Sequence, residues 1–204
     1  MTTKNPIKTV NKIIMKKVLS FLVVALLCTQ VFAQTAWKID SFHSKLTFSI
    51  THLGISDVAG LFKTFDVTVT TSKADFSDAV FELSADVASI DTEVELRDNH
   101  LRSADFFEVE KYPTMTFKST SIKKISKDKY KLAGNLTLHG ITKPVTMDLW
   151  YRGMAENPLN KITSAGFQLT GSLKRSDFGI GPKFPPPMIG DKVSIKADGE
   201  FIKK

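Results

Sequence analysis

Four histidines, His43, His52, His100 and His139, and the charged run LRDNHLRSADFFEVEKYP (residues 96–113) are the side chains whose chemistry could go beyond packing. Neutral imidazole binds metals and moves protons. With Asp40 and Asp98 the histidines could therefore serve a metal-dependent enzyme or a quinone-linked redox accessory. Their spacing argues against it: no HxH, HxxxH or HExxH pattern occurs, nor a Gly-x-Ser-x-Gly elbow or a Gly-rich phosphate loop. No catalytic residue and no metal ligand set is expected. The run itself gathers Arg97, Asp98, His100, Arg102 and Asp105. It reads as a solvated helix face, as surface ion pairs worth under about 1 kcal/mol, or as a mouth where Arg97 or His100 meets an anionic head group.

The segments that must position these residues alternate with period two. Leu46, Phe48 and Ile50 share one face, and Phe65, Val67 and Val69 follow, then Phe81, Leu83, Ala85 and Val87. Met115 and Phe117, Tyr130 to Leu138, Val145 to Tyr151 (after a turn over Gly140–Pro144), Phe167 to Leu173 and Val193 to Phe201 complete the series. That makes eight strands with one apolar face, joined by short connections that imply antiparallel neighbours. Eight long strands can close around one ligand. Gly134, Gly171 and Gly199 fall on the apolar parity, where a barrel needs bends or close approaches. The pattern alone leaves a two-sheet sandwich open. Thr92-x-x-Glu95 has the form of a capping box, and Pro113 directs the chain back to a strand. The expectation is one short helical insert near residues 92–108, anchored by Val94, Leu101, Phe106 and Phe107 across an open end.

The N-terminus carries a different signal. Met15-Lys16-Lys17 precedes the apolar run Val18–Leu27 and a small residue, Ala33. This reads as a secretory signal peptide over residues 1–33, cut after Ala33, with Met15 as an alternative start. The run is too short to span a bilayer, so no transmembrane anchor is expected. Leu27 stands before Cys28 where a lipoprotein site needs a small residue. The leader holds five lysines and no acid, so removing it leaves 23 basic against 21 acidic residues, net +2 and not +7. A nucleic-acid partner loses its support with that charge. The single cysteine leaves too, and residues 35–204 must form one domain on their core alone.

The stretches WKIDSFHSKLTFSITHLGISDVAGLF, SIDTEVELRDNHLRSADFFEVEKYPTMTF, GNLTLHGITKPVTM and GSLKRSDFGIG, in this order, resemble the YceI family of exported proteins. The resemblance spans about Trp37 to Phe201. It implies an all-β, lipocalin-like eight-stranded antiparallel barrel whose bore holds a polyisoprenoid or similar amphiphile, with no cofactor beyond such an isoprenoid or quinone-like ligand. The Pro-rich loop Pro182–Pro187 has its own composition. The apolar parity then supplies the candidate bore: Phe48, Ile50, Phe65, Val67, Phe81, Leu83, Phe117, Leu136, Leu138, Met147, Leu149, Phe167 and Leu169. His52, which continues the parity of β-strand residues 46–50, joins Arg97 and His100 at the mouth. An interaction module with a collapsed core is the remaining class. The expected protein is a periplasmic or secreted non-catalytic carrier of undetermined oligomeric state. N-terminal sequencing of the protein from its native host should find Gln34 first; an intact leader or an acylated Cys28 would overturn this.

Overall fold

The computed structural model describes residues 34–204; the expected leader, the alternative start at Met15 and Cys28 lie outside them. Ten strands and one helix follow in order: β1 Thr35–His52, β2 Ser56–Phe62, β3 Phe65–Thr71, β4 Val80–Asp86, β5 Ile90–Asp91, α1 Glu95–Arg102, β6 Thr114–Lys124, β7 Lys129–Leu138, β8 Ile141–Glu156, β9 Thr163–Lys174 and β10 Ile189–Lys203. Every pairing is antiparallel, and β1 runs along β10 with Trp37 opposite Lys203 and Ile50 opposite Val193. The sheet therefore closes. β3 faces the first part of β1, with Trp37 opposite Val69, and β2 faces the second, with Phe48 opposite Gly60. β2 and β3 act as one strand broken at Lys63-Thr64, so eight strands encircle the interior. This is the expected barrel, and the sandwich is excluded.

The break in that strand has a local cause. The Lys63 N–H donates to Ser89 O at 3.1 Å, the Thr64 N–H donates to Ser89 Oγ at 3.0 Å, and Thr64 O accepts from the Asp86 N–H at 2.9 Å. These bonds draw the chain towards the end of β4 and away from β1. On the other side, Ser41–Ser44 of β1 bulge out between the Asp40–Glu200 and Lys45–Asp198 pairs, leaving Phe42 93% exposed. The β7–β8 turn is tighter than expected. It is the two residues His139 and Gly140, both at positive φ (52° and 71°), as a two-residue hairpin requires. Ile141–Pro144 already belong to β8, and Pro144 is tolerated because β8 pairs there with β7 alone and meets β9 only from Asp148.

The two ends of the barrel are closed differently. At the end bearing the β3–β4 hairpin, Phe76 folds inward and is 1% exposed. Its ring meets Trp37, Tyr151 and Phe167 at centroid distances of 5.4, 5.0 and 5.0 Å. The left-handed φ of 58° at this bulky residue costs about 1–3 kcal/mol, less than the roughly 3–5 kcal/mol lost when a buried Phe is truncated. Packing wins. The opposite end is covered by α1 with residues 103–112 and by residues 175–188.

Residues 92–102 depart from the expected capping box. The side chain of Thr92 makes no cap to the first turn; α1 starts after Val94. Instead the Thr92 N–H and hydroxyl both donate to Asp98 Oδ1, at 2.9 and 2.5 Å, and Asp98 is 5% exposed. A buried carboxylate with two donors outweighs an exposed one three residues along the cap. Leu101, Phe106 and Phe107 pack into the barrel as expected, but Val94 does not anchor anything and is 46% exposed.

The plugged end carries an acid-sensitive turn. Thr71, Ser72 and the Lys73 N–H donate to Asp78. Burial pushes its pKa up, yet the Ser72 and Thr71 bonds prevail and hold it at about 2. Asp75, bonded by Lys124 and Ser77, is also held at about 2. Unfolded carboxylates titrate near 3.9, so the stability from both groups is complete above that value and is lost as pH falls through about 2. The melting temperature should drop between about pH 4 and pH 2, and Asp78→Asn should lower it at neutral pH while shrinking that drop. An unchanged acid limb in the variant would show the turn to be neutral.

Candidate functional site: an apolar cavity inside the barrel

A cavity of about 200 Å³ lies between the Phe76 plug and the lid. β1, β3 and β4 supply Phe48, Phe65, Val67, Phe81 and Leu83 to its wall, and β6 to β9 supply Phe117, Leu136, Leu138, Met147, Leu149, Phe167 and Leu169. Each sits on the inward parity of its strand, so the period-two pattern placed them. Ile50 is the exception: it pairs with Val58 and Val193 towards the end of β1 and is absent from the lining. From the lid, Leu101, Phe107 and Ile180 reach the same space. The volume is below the roughly 300–1,000 Å³ of pockets for drug-sized ligands.

Two glycines make room inside the bore, and Gly134 also stands at the β6–β7 register shift between Ser119 and Ser121. A Cβ at Gly134 would lie 2.5 Å from the ring of Phe117, and one at Gly171 would lie 2.0 Å from Met147 Sδ. With no side chain there, each large neighbour lies flat over the adjacent strand and leaves the centre open. The close approach that the sequence suggested is made by a side chain at Gly171, and at Gly134 by the Phe117 ring together with the backbone carbonyl of Lys118, also 2.5 Å away.

Polar residues reach this wall in few places, at Lys45, Thr47, Arg175 and Asp198, and the last three have their polar atoms engaged elsewhere. Asp198 accepts from Gln168 Nε2 at 2.7 Å and pairs with Lys196 at 3.0 Å and Arg152 at 3.9 Å. Burial pushes Asp198 up, but those neighbours together hold it below the usual carboxylate range. Thr47 donates to Lys196 O at 2.8 Å. Arg175, 5% exposed, gives its Nε–H to Gly190 O at 3.0 Å. Its Nη1 donates to Ile180 O and Gly181 O at 2.8 and 2.7 Å, and its Nη2 to Ile189 O at 3.0 Å and to Phe184 O. All five donors of the guanidinium are thus turned to backbone. The site offers burial to an apolar guest.

The three residues expected at the mouth do not line the cavity. Arg97 donates from Nε to Thr92 Oγ1 and from Nη2 to Thr92 O, both at 2.7 Å, because the chain before α1 needs those donors. His100 sits on the outer side of the lid, 48% exposed in its side chain, 3.3 Å from Asp105 and edge-on to Phe106 and Phe184. His52 is exposed near the tip of the β1–β2 hairpin, where a register shift against β10 after Ile50 ends the inward parity. Nor do the four histidines converge. His43 bonds Asp40 at 2.8 Å on the β1 bulge, and His139 meets Phe178 O at 3.0 Å beneath Tyr112. Among the described residues no group of three or more His, Cys, Asp or Glu is placed to hold a metal ion.

The lid has a seam. Phe106 stacks on Phe184 at 4.8 Å and an interplanar angle of 12°, and Lys183 Nζ bonds Asp105 at 2.7 Å. That bond and the His100 ring hold Asp105 below its usual range. Sequence reasoning missed Arg175, Phe62 and Phe184. Gly179 and Gly181, whose positive φ of 64° and 61° fold the chain around Arg175, were the available signal for the first.

Residues 37–201 match the YceI-like domain family. The protein YceI of Salmonella arizonae is 38% identical over 187 residues, 90% of this chain and 97% of that one. Among solved structures, BcnA of Burkholderia cenocepacia superposes with a TM-score of 0.70 at 26% identity, over 79% of this chain and 98% of that one. The YceI protein of Campylobacter jejuni gives 0.69 at 33% identity, over 76% and 90%. A polyisoprenoid binding domain from Saccharophagus degradans shares the fold, with a TM-score of 0.62 at 17% identity, over 83% and 99%. By the extent of the domain match and the identity to the Salmonella protein, this chain belongs to the YceI-like family.

Proposed function

We propose that the protein is an exported, non-catalytic carrier that sequesters or ferries a polyisoprenoid or similar amphiphilic lipid in its barrel. The observation that carries this reading is a cavity with a largely apolar wall, lying between an aromatic plug at one end and a seamed lid at the other. The solved domain from Saccharophagus degradans, a polyisoprenoid binding domain of the same fold, supports it. Burial is worth about 0.8 kcal/mol per methylene, so a chain of several isoprene units needs no polar contact for affinity. Polar contacts would only orient it. The periplasm or the exterior is the compartment that fits the leader at residues 1–33.

Mass spectrometry of organic extracts from protein purified from its native host tests the reading directly. A co-purified isoprenoid is expected, and extracts free of any amphiphile would count against carriage. The bore residues have a separate test. Leu169→Trp adds volume where there is space, so it should reduce lipid uptake by at least about tenfold while stability falls by less than the roughly 1–3 kcal/mol of an overpacked core. Unchanged uptake with a sharp loss of stability would instead describe a filled interior.

Arg97 is held by Thr92, which bears on its variant. Arg97→Glu should loosen the lid and weaken anionic-headed and neutral isoprenoids alike, as measured by displacement of a fluorescent probe. A loss confined to the anionic ligand would restore Arg97 as a reader of the head group.

A further inference from the structure

We infer that the lidded end of the barrel docks on a zwitterionic lipid bilayer through an apolar crest formed by the β1–β2 hairpin tip and the Pro-rich loop. Leu53, Ile55 and Met188 are 54%, 85% and 45% exposed, and Pro185, Pro186 and Pro187 are exposed beside them. The two loops form one surface. The Leu53 N–H donates to Met188 O at 3.0 Å, and His52 pairs with Ile189 at the foot of both. Leu53 and Gly54 have positive φ of 51° and 73°, so the tip turns over tightly and keeps its side chains outside the barrel. Single exposed apolar residues are ordinary on a soluble protein, but a contiguous set marks a contact surface.

Charge decides the occupant. From His52 to Ser56 and from Phe184 to Met188 no Asp, Glu, Lys or Arg occurs. The nearest charges along the chain are Asp57, which accepts from Thr51 Oγ1 at 2.8 Å, and Lys183, which pairs with Asp105 at 2.7 Å. An uncharged crest suits the interface of a neutral bilayer, where a charged side chain would oppose insertion. An anionic surface finds its complement at the other end of the barrel. There the β6–β7 hairpin holds Lys123, Lys127 and Lys129 around Asp128, with Lys124 paired to Asp75 at 2.9 Å, and β10 ends at Lys203.

The crest is also continuous with the lid. The Pro-rich loop carries Phe184, which stacks on Phe106, and Arg175 holds the carbonyls of Phe184 and Ile189 on either side of the prolines. A bilayer contact at 185–188 thus bears on the seam over the cavity, and a lipid chain could pass there without crossing water. This inference rests on the proposed carriage of a lipid.

The experiment uses residues 34–204, which hold the whole barrel and its core, because the apolar run Val18–Leu27 would bind lipid by itself. The protein is sedimented with vesicles of phosphatidylcholine alone and of phosphatidylcholine with phosphatidylglycerol, at low and at high salt. Binding to pure phosphatidylcholine that persists in high salt is expected. Ile55→Asp should lower the bound fraction by at least about tenfold, with the melting temperature and the uptake of a fluorescent isoprenoid alcohol from detergent micelles unchanged. Lys127→Glu should have no effect. Binding that needs phosphatidylglycerol, disappears in salt and is lost in Lys127→Glu would overturn the inference in favour of the lysine-rich end. A dimer broken by Ile55→Asp, without vesicle binding, would show that a second copy covers the crest. Uptake from micelles without any vesicle binding sinks the docking inference and leaves carriage standing; vesicle binding without uptake does the reverse.

Discussion

Closure of β1 on β10 is the constraint from which the other features follow. A sheet of eight strands that closes leaves no edge for aggregation, but it fixes a circumference. The side chains inside must then fill a cylinder whose width they do not choose. Here they do not fill it. Phe117 and Met147 lie over Gly134 and Gly171 instead of pointing to the centre, and the remaining space is the cavity. Closure also leaves two open ends, each of which exposes the apolar interior unless something covers it. One is met by a single ring, Phe76, at the cost of a left-handed backbone. The other is met by some thirty residues in two segments that touch through stacked rings and an ion pair. The asymmetry matters for function, because a fixed plug and a seamed lid define the direction in which a guest can leave.

Much of this was legible in the sequence, for a physical reason. A strand in a closed barrel has one dry face throughout, so period-two alternation survives in Tyr130–Leu138 and Phe167–Leu173 with hardly an exception, and Leu132, Leu136, Leu138, Phe167, Leu169 and Leu173 line the cavity. The signal failed where the wall itself is irregular. β2, in SDVAGLF, reads as a loop because Asp57 and Gly60 interrupt it, and Gly60 is there to make room for Phe48. Phe76 in SKADFSDAV looks like part of a polar turn, since nothing local says that the turn folds inward. The capping-box reading of Thr92 and Glu95 failed because a tertiary partner, Asp98, outcompeted the local one. His52 kept the inward parity in sequence and lost it in space, because parity is carried only as far as the ladder is regular, and the register shifts after Ile50.

The charged run that looked most like an active site is better understood through its backbone. Segments that cross the end of a barrel have no ladder to pair with, and buried carbonyls without donors cost free energy. Arginine presents five donors in a fixed plane and suits that task. Arg97 bonds Thr92 O, Arg102 bonds Ala88 O and Ile90 O, and Arg175 bonds five carbonyls between Ile180 and Gly190. These three cations answer to the chain itself, and their charge is not free to hold a head group without releasing a segment of the lid. Any ligand that bound one of them would therefore compete with the closed state. An anionic head group arriving at this end would favour opening, whereas a neutral one would leave the seam to the rings of Phe106 and Phe184. A barrel capped in this way selects for its guest mainly by the fit of an apolar chain, and the chemistry of the head group enters through the stability of the lid.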